Sequence, residues 1–226
     1  MIHKPVVTAA EAAGMVKEGN VVHIGGFLEC GTPMDIIRAL IKLGTKNLTG
    51  VGNDTAIYNP KREITTGIAP MVLNKQFSRL IVTHIGTNAE TQRQMNEGET
   101  EVVLVPQGTL AEKIRAAGAG LGGILTPTGV GTEVQNGKTV IEIKGKKHLL
   151  EEALPADVAL IKAKKADKAG NLVYDKSARN FNPLMATAAE LVIAEVDEIV
   201  EVGELDPETV ITPSVFVDYL VVTGKE

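Results

Sequence analysis

Three stretches of the 226-residue chain combine polar side chains with the backbone freedom that a reaction site needs. In HIGGFLECGTP, residues 23–33, Glu29 and the chain's single thiol, Cys30, stand inside a glycine-rich loop. A carboxylate or a thiol can act as a nucleophile. Gly25, Gly26 and Gly31 would let backbone amides approach a ligand closely, and a helix opening near Pro33 would add the positive end of its dipole. That combination suits an anion or a long, thin ligand, although a tight strand-to-helix turn accounts for the same glycines equally well. In GVGND, Asn53 and Asp54 end an apolar run, either as a polar wall or as an Asx turn. In VPQGTLAEKIR, Gln107 lies between a strand end and a helix start that carries Lys113 and Arg115. Its amide could orient a carbonyl or carboxylate, or simply cap the helix.

Other patterns carry less. GAGLGG matches G-x-G-x-x-G at Gly118, Gly120 and Gly123, but a helix precedes it and ILTPTG follows, the reverse of a dinucleotide-binding strand–turn–helix. GTEVQNGKT imitates a phosphate-binding P-loop with its glycines, Gly131 and Gly137, one residue too far apart. His3, His23, His84 and His148 have no helical i, i+3 or i, i+4 partner and no cysteine cluster, so no metal site is readable.

Positioning the three stretches requires strands that end where they begin. Thr8 and Glu11 form a capping box for a first helix, and NVVHIGG reads as a buried strand feeding the glycine loop. In TPMDIIRALIKLG, Thr32 suits the N-cap, Pro33 the first helical position and Asp35 the dipole, with Ile36, Ile37, Leu40, Ile41 and Leu43 on one face before Gly44. LTGVGND, RLIVTHIG and EVVLVPQG read as further strands, the last two followed by helices in NAETQRQMNEG and TLAEKIRAAG. Alternation of this kind predicts an α/β fold with a mostly parallel sheet flanked by helices, whose ligands gather at the carboxyl ends of strands. Beyond Thr126 the texture turns to hairpins, with Asn136-Gly137 expected as a type I′ turn and Lys144-Gly145 and Gly170-Asn171 as further turns. FNPLMATAAE then starts a helix near Pro183, and LVIAEV and FVDYLVV are late apolar runs. No linker separates the two halves, so one domain over 1–226 is expected.

Bulk properties narrow the function classes. With 23 basic and 28 acidic residues, a net charge of −5 and 3% aromatic residues, the chain lacks the electrostatic footprint and stacking platform of a nucleic-acid binder. A single cysteine forms no internal disulfide, and the N-terminus lacks the apolar core of a signal peptide, which makes the cytoplasm the expected compartment. No apolar run reaches the length of a membrane span.

Taken in order, GGFLECGTP, VGNDTA, THIGTN, VPQGTLAEKIRAAGAGLGGILTPTGVGT, ADVALIKAKKADKAGNLVY and SARNFNPLMATAAE cover almost the whole chain. They closely resemble the alpha subunit of the family I CoA-transferases of the 3-oxoacid type, most of all the two-subunit bacterial enzymes that handle acetate, butyrate and acetoacetate. The signature G-G-F-x-x-x-G-x-P is present as Gly25, Gly26, Phe27, Gly31 and Pro33. His23, which precedes these glycines, is a departure from the family in a stretch that is usually wholly apolar. The resemblance implies a CoA-transferase/ribose-phosphate-isomerase-like fold with an added β-hairpin region. It also implies a ping-pong reaction in which a glutamate becomes a CoA thioester and an incoming carboxylate then takes the CoA. That glutamate belongs to the beta half, in a glutamate-asparagine-glycine motif absent from this chain. By the same resemblance the partner is a beta subunit in an α2β2 heterotetramer, and coenzyme A is a substrate, with no tightly bound cofactor. Ile24, Gly25, Gly26, Phe27, Leu28, Glu29, Cys30 and Gly31 are expected at the coenzyme A, with Glu29 a bystander and Cys30 packing. Gln107 is expected to align the acyl or carboxylate group, and Asn53 to form a second polar wall. The apolar AAGAGLGGILTPTGVG segment is the expected partner surface or pocket wall. Two alternatives use the same kind of fold, a non-catalytic CoA- or metabolite-binding protein and a sugar-phosphate isomerase with its own acid/base carboxylate.

Overall fold

The computed structural model describes residues 3–225. In chain order its elements are α1 (Ala9–Met15), β1 (Val21–Ile24), α2 (Met34–Leu43), β2 (Leu48–Val51), β3 (Tyr58–Asn59), β4 (Ile64–Thr65), α3 (Ala69–Leu73), β5 (Phe77–Val82), α4 (Ala89–Glu97), β6 (Glu101–Leu104) and α5 (Gln107–Gly118). The second half adds β7 (Gly123–Thr126), β8 (Val140–Ile143), β9 (Lys146–Glu152), β10 (Ala156–Asp167), β11 (Leu172–Val173), α6 (Asn182–Thr187), β12 (Ala189–Val200) and β13 (Tyr219–Val222). Seven strands run parallel in the order β13-β12-β10-β1-β2-β5-β6, and β11 pairs antiparallel with β10. A separate antiparallel sheet, β7-β9-β8, is the added hairpin region. Among the described residues no helix is long and apolar enough to cross a membrane.

The alternation of side chains along each strand builds two cores. Val22, Ile24, Val158 and Leu160 point to one face and pack with Ile36, Ile37 and Leu40 of α2 and Met71 of α3. Ala159, Ile161, Val192 and Ala194 point to the other and meet Leu110 and Ile114 of α5 and Met185 of α6. Each fully buried Ile or Leu on these faces contributes roughly 1.5–3 kcal/mol of burial free energy, which fixes the helices on the sheet. Because β1 lies at the centre and the chain goes first to β2, β5 and β6 and only later to β10, β12 and β13, the order reverses between β1 and β10. The glycine loop leaves the sheet at that switch point, where parallel sheets leave room for a ligand.

Several local expectations hold in detail. The Thr8–Glu11 capping box forms at α1, and Gly44 ends α2 in the left-handed region at φ 74°. Leu43, expected on the apolar face of α2, is exposed instead, one residue before the chain turns away. Asn136-Gly137 is not a hairpin turn. Asn136 has φ −57° and ψ 127°, Gly137 has φ 75°, and the Lys138 N–H donates to Gln135 at 3.0 Å, the geometry of a type II turn that closes a short 3-10 segment, Glu133–Gln135. GTEVQ is therefore not a strand, because Thr132 caps that segment through the Val134 N–H. The hairpin lies one step later: Lys144 and Gly145, at φ 50° and 75°, join β8 to β9.

His23 is the one polar residue in the middle of β1. It aligns with Val51 and Ala159, points into the α5/α6 layer, is completely buried, and makes no well-formed hydrogen bond from either ring nitrogen among the described residues. Burial lowers its pKa to about 4. The unfolded chain therefore binds a proton that the folded chain refuses, so stability is lost as pH falls from about 6.5 towards 4, by up to ~3 kcal/mol. His23→Leu is expected to flatten that acid-side loss in urea unfolding measured between pH 7 and 4.5. An unchanged pH slope would show that His23 does not cause it.

Candidate active site

β1, β2 and β6 deliver the three stretches to one edge of the sheet. β2 ends at Val51, and the backbone oxygen of Asn53 then accepts from the Thr83 N–H at 2.9 Å and the Thr83 hydroxyl at 2.7 Å, which pins the segment against the end of β5. Asn53 and Asp54 are both buried. Asp54 Oδ1 accepts from the Ala56 N–H at 2.7 Å, the Asx turn expected from sequence. Its other oxygen does more: Oδ2 accepts from the Asn53 side-chain amide at 2.6 Å and from the Leu28 N–H at 2.9 Å. Gln107, the first residue of α5, donates from Nε2 to Asn53 Oδ1 at 2.5 Å, so its side chain does not cap its own helix. Gln107 and Asn53, separated by 54 positions, are thus in direct contact, and Asp54 ties them to the glycine loop.

The loop itself is a tight turn. Phe27 and Cys30 exchange backbone hydrogen bonds of 3.0 Å, with Leu28 held at φ 57°. That conformation is costly for a side chain of this kind and persists because the Asp54 carboxylate holds the Leu28 amide. The glycines admit the protein's own side chains. Gly25 donates to the Leu160 carbonyl at 2.9 Å, and a methyl group there would overlap Asn182 Oδ1, which itself accepts from the Lys162 N–H at 3.0 Å. Gly26 donates to Asn180 Oδ1 at 3.2 Å, and Gly31, at φ 76°, lies against the Ala178 carbonyl. Asn182 Nδ2 returns to the Gly31 and Ala178 carbonyls at 3.0 and 2.8 Å. Of the eight residues expected at a ligand, Ile24, Gly25 and Gly26 are buried in their own chain, with Ile24 in the core. Phe27, Glu29 and Cys30 are exposed and Leu28 half-exposed. The thiol of Cys30 lies 3.6 Å from the Ser177 hydroxyl.

The dipole end expected to receive an anion is already filled. α2 begins at Met34 with Pro33 as N-cap, one residue later than expected, and Thr32 makes no cap. Instead Glu195 of β12 reaches across, and its Oε2 accepts from the Asp35 and Ile36 N–H groups at 2.8 and 3.1 Å. Burial pushes the Glu195 carboxyl above the usual carboxylate range, against the pull of Lys162, 3.3 Å away. Glu195→Ala is expected to lower stability by roughly 1–2 kcal/mol, the scale of a lost N-cap. Thermal unfolding checks this, and an unchanged midpoint would contradict it. Lys113 is likewise engaged: it and Lys138 hold the buried Glu151 at 3.1 and 2.5 Å, pinning the small sheet to α5.

Beneath the loop, Gly25, Gly26, Thr32, Asn53 and Asp54 line a void of only about 10 Å³. Beside Gln107 the first turns of α5 and strand β7 frame an open cleft of about 550 Å³, lined by Gly108, Thr109, Glu112, Arg115, Leu125 and Thr128. Leu125 of the apolar 116–131 segment lines that cleft and is 38% exposed, and Leu121 of the same segment is 50% exposed. Chemically, the Gln107–Asn53–Asp54 cluster offers groups suited to orienting a ligand rather than to attacking one. Its one carboxylate has both oxygens engaged by three donors, and the outward part of the Gln107 amide is what remains for a ligand. Sequence reasoning missed Asn180, Asn182 and Glu195. The first two lay within a recognised block, SARNFNP, but nothing in their spacing shows that they face residues about 150 positions away.

Comparison with known proteins agrees with the architecture. A family model described as coenzyme A transferase matches residues 6–223. The acetate CoA-transferase subunit alpha of Escherichia coli K12 is 49% identical over 97% of both chains. The acetoacetyl-CoA:acetate/butyrate CoA transferase alpha subunit of Clostridium acetobutylicum is 47% identical over 91% of both. Among solved structures, an acyl-CoA transferase of E. coli O157:H7, in a thioester complex with CoA, superposes with a TM-score of 0.86 at 24% identity. That match covers 99% of this chain and 48% of the longer one. Glutaconate coenzyme A-transferase from Acidaminococcus fermentans gives 0.82 at 20% identity, over 96% of this chain and 75% of that one.

Proposed function

The chain belongs to the coenzyme A transferase family, and from that premise we propose that it is the alpha subunit of an enzyme moving CoA between a short-chain acyl-CoA or 3-oxoacyl-CoA and a carboxylic acid such as acetate, butyrate or acetoacetate. A glutamate of a partner beta subunit attacks the thioester carbonyl carbon. CoA leaves as thiolate and is recaptured on that glutamate as a thioester, while the first acid departs. The incoming carboxylate then repeats the sequence in reverse and carries CoA away. A carboxylate is a weak nucleophile, so the rate depends on positioning and on donors aimed at the tetrahedral oxyanion.

The observation that carries this reading is the Gln107–Asn53 contact at the strand ends, where an exposed amide is held ready by a buried one. Gln107 aligns the acyl or carboxylate group, Asn53 backs it, and the exposed turn Phe27–Cys30 with Gly31 borders the coenzyme A. Coenzyme A is a substrate here, and no resident cofactor enters the scheme. The partner completes the pocket in an α2β2 assembly, covering the cleft beside α5 where Leu125 is exposed. This division fits the cluster's lack of a free carboxylate. Mixing the chain with its beta subunit and following CoA exchange between acetate and acetoacetyl-CoA tests the proposal: activity only in the mixture supports it, and activity of the lone chain refutes it. Glu29→Gln in the mixture is expected to stay within about threefold of wild-type turnover, because its carboxylate stands on the exposed turn and takes no covalent part. Loss of the CoA thioester in that variant would reassign the nucleophile to Glu29.

A further inference from the structure

We infer that Asp54 is a positioning residue that sets the direction of the Asn53–Gln107 hydrogen-bond chain and so decides which way round the Gln107 amide faces the reacting group. The inference rests on the proposed role of Gln107. Its basis is an asymmetry in the chain. An ionised carboxylate only accepts hydrogen bonds, whereas a primary amide has a donating and an accepting end and can be turned over by its surroundings. Three donors converge on Asp54: the Leu28 and Ala56 N–H groups and the Asn53 side-chain amide, at 2.9, 2.7 and 2.6 Å. Asn53 must therefore turn its NH2 towards Asp54.

Asn53 Oδ1 is then left facing Gln107. Gln107 must answer with its own NH2, as the 2.5 Å contact from Nε2 records. The carbonyl and the second N–H of Gln107 are thereby left for the ligand in one fixed arrangement. A chain of amides ending on a buried acceptor also polarises each member in turn. With a neutral group at position 54 both amides could invert, and the ligand would meet Gln107 in two orientations. The same carboxylate holds the Leu28 amide, so the glycine turn and the amide pair share one anchor.

The test is a double-mutant cycle in the assembled enzyme. Asp54→Asn replaces one accepting oxygen with a donor among three donors, and is expected to lower kcat by about 10- to 100-fold, within the range of coupling through a shared network. Applied on top of Gln107→Ala, the same change is expected to lower kcat by less than about threefold, because the group it orients is gone. Any rise in KM that comes through the Leu28 turn should persist in both backgrounds. Equal kcat losses in the two backgrounds would overturn the inference and leave the role of Gln107 standing. Wild-type turnover in Gln107→Ala alone would instead remove the reading on which it rests. Should Asp54→Asn fail to fold, Asn53→Ser cuts the same chain while leaving the Leu28 and Ala56 contacts of Asp54 in place. It should reproduce the kcat loss and show the same lack of additivity with Gln107→Ala. Wild-type kcat in Asn53→Ser, or full additivity, overturns the proposal.

Discussion

Gln107→Ala, assembled with its beta subunit, is expected to lose about 10²- to 10³-fold in kcat with a much smaller change in KM, the scale of removing one preorganised oxyanion donor. Gln107 is the first residue of its helix and is exposed, so truncation leaves the fold intact and no buried cavity behind. What disappears is the one amide of the cluster that reaches outward. Asn53, buried and already bonded to Asp54 and Thr83, cannot move out to replace it. Steady-state kinetics of CoA exchange decide the matter, with wild-type kcat as the outcome that excludes Gln107 from the reaction.

Gly25→Ala is expected to cost roughly 3–5 kcal/mol of stability, through overpacking together with loss of buried hydrogen bonds. The added methyl would occupy the place of Asn182 Oδ1. Asn182 cannot step aside cheaply, since it accepts from Lys162 and donates to Gly31 and Ala178. Displacing it breaks the clasp between the glycine loop and the start of α6, and the turn that carries Phe27, Leu28, Glu29 and Cys30 loses its backing. Denaturant unfolding should show the drop, and Gly25→Ala with wild-type stability would mean that the loop and the 177–182 segment are not locked together. An alanine at Gly44, where the left-handed C-cap has open space around it, serves as the milder comparison.

Much of this arrangement was legible in the sequence because it depends on local rules. The capping box at Thr8, the apolar face of α2, the strand runs and the glycine stop at Gly44 are set by neighbours within a few residues, and the structure keeps them. Parallel order follows from strand–helix alternation, and it places Asn53, Gln107 and the glycine loop at strand ends that lie side by side. What escaped is whatever comes from far along the chain. The helix end after the glycine loop reads as an open anion site because its cap, Glu195, stands 160 positions away. The glycines read as room for a ligand because Asn180 and Asn182, the groups that fill that room, are equally remote. Asn136-Gly137 went wrong for a different reason: the same dipeptide serves type I′ and type II turns, and the preceding Thr132 cap decides between them by making a 3-10 turn where a strand was expected.

The most direct test is to find where the covalent CoA goes. The assembled enzyme is incubated with acetoacetyl-CoA without an acceptor acid, the chains are separated under denaturing conditions, and each is weighed by mass spectrometry. The expected result is a CoA adduct on a glutamate of the beta subunit and none on this chain. A CoA thioester on Glu29, or on any other acidic residue of this chain, would contradict the division of the site between two subunits.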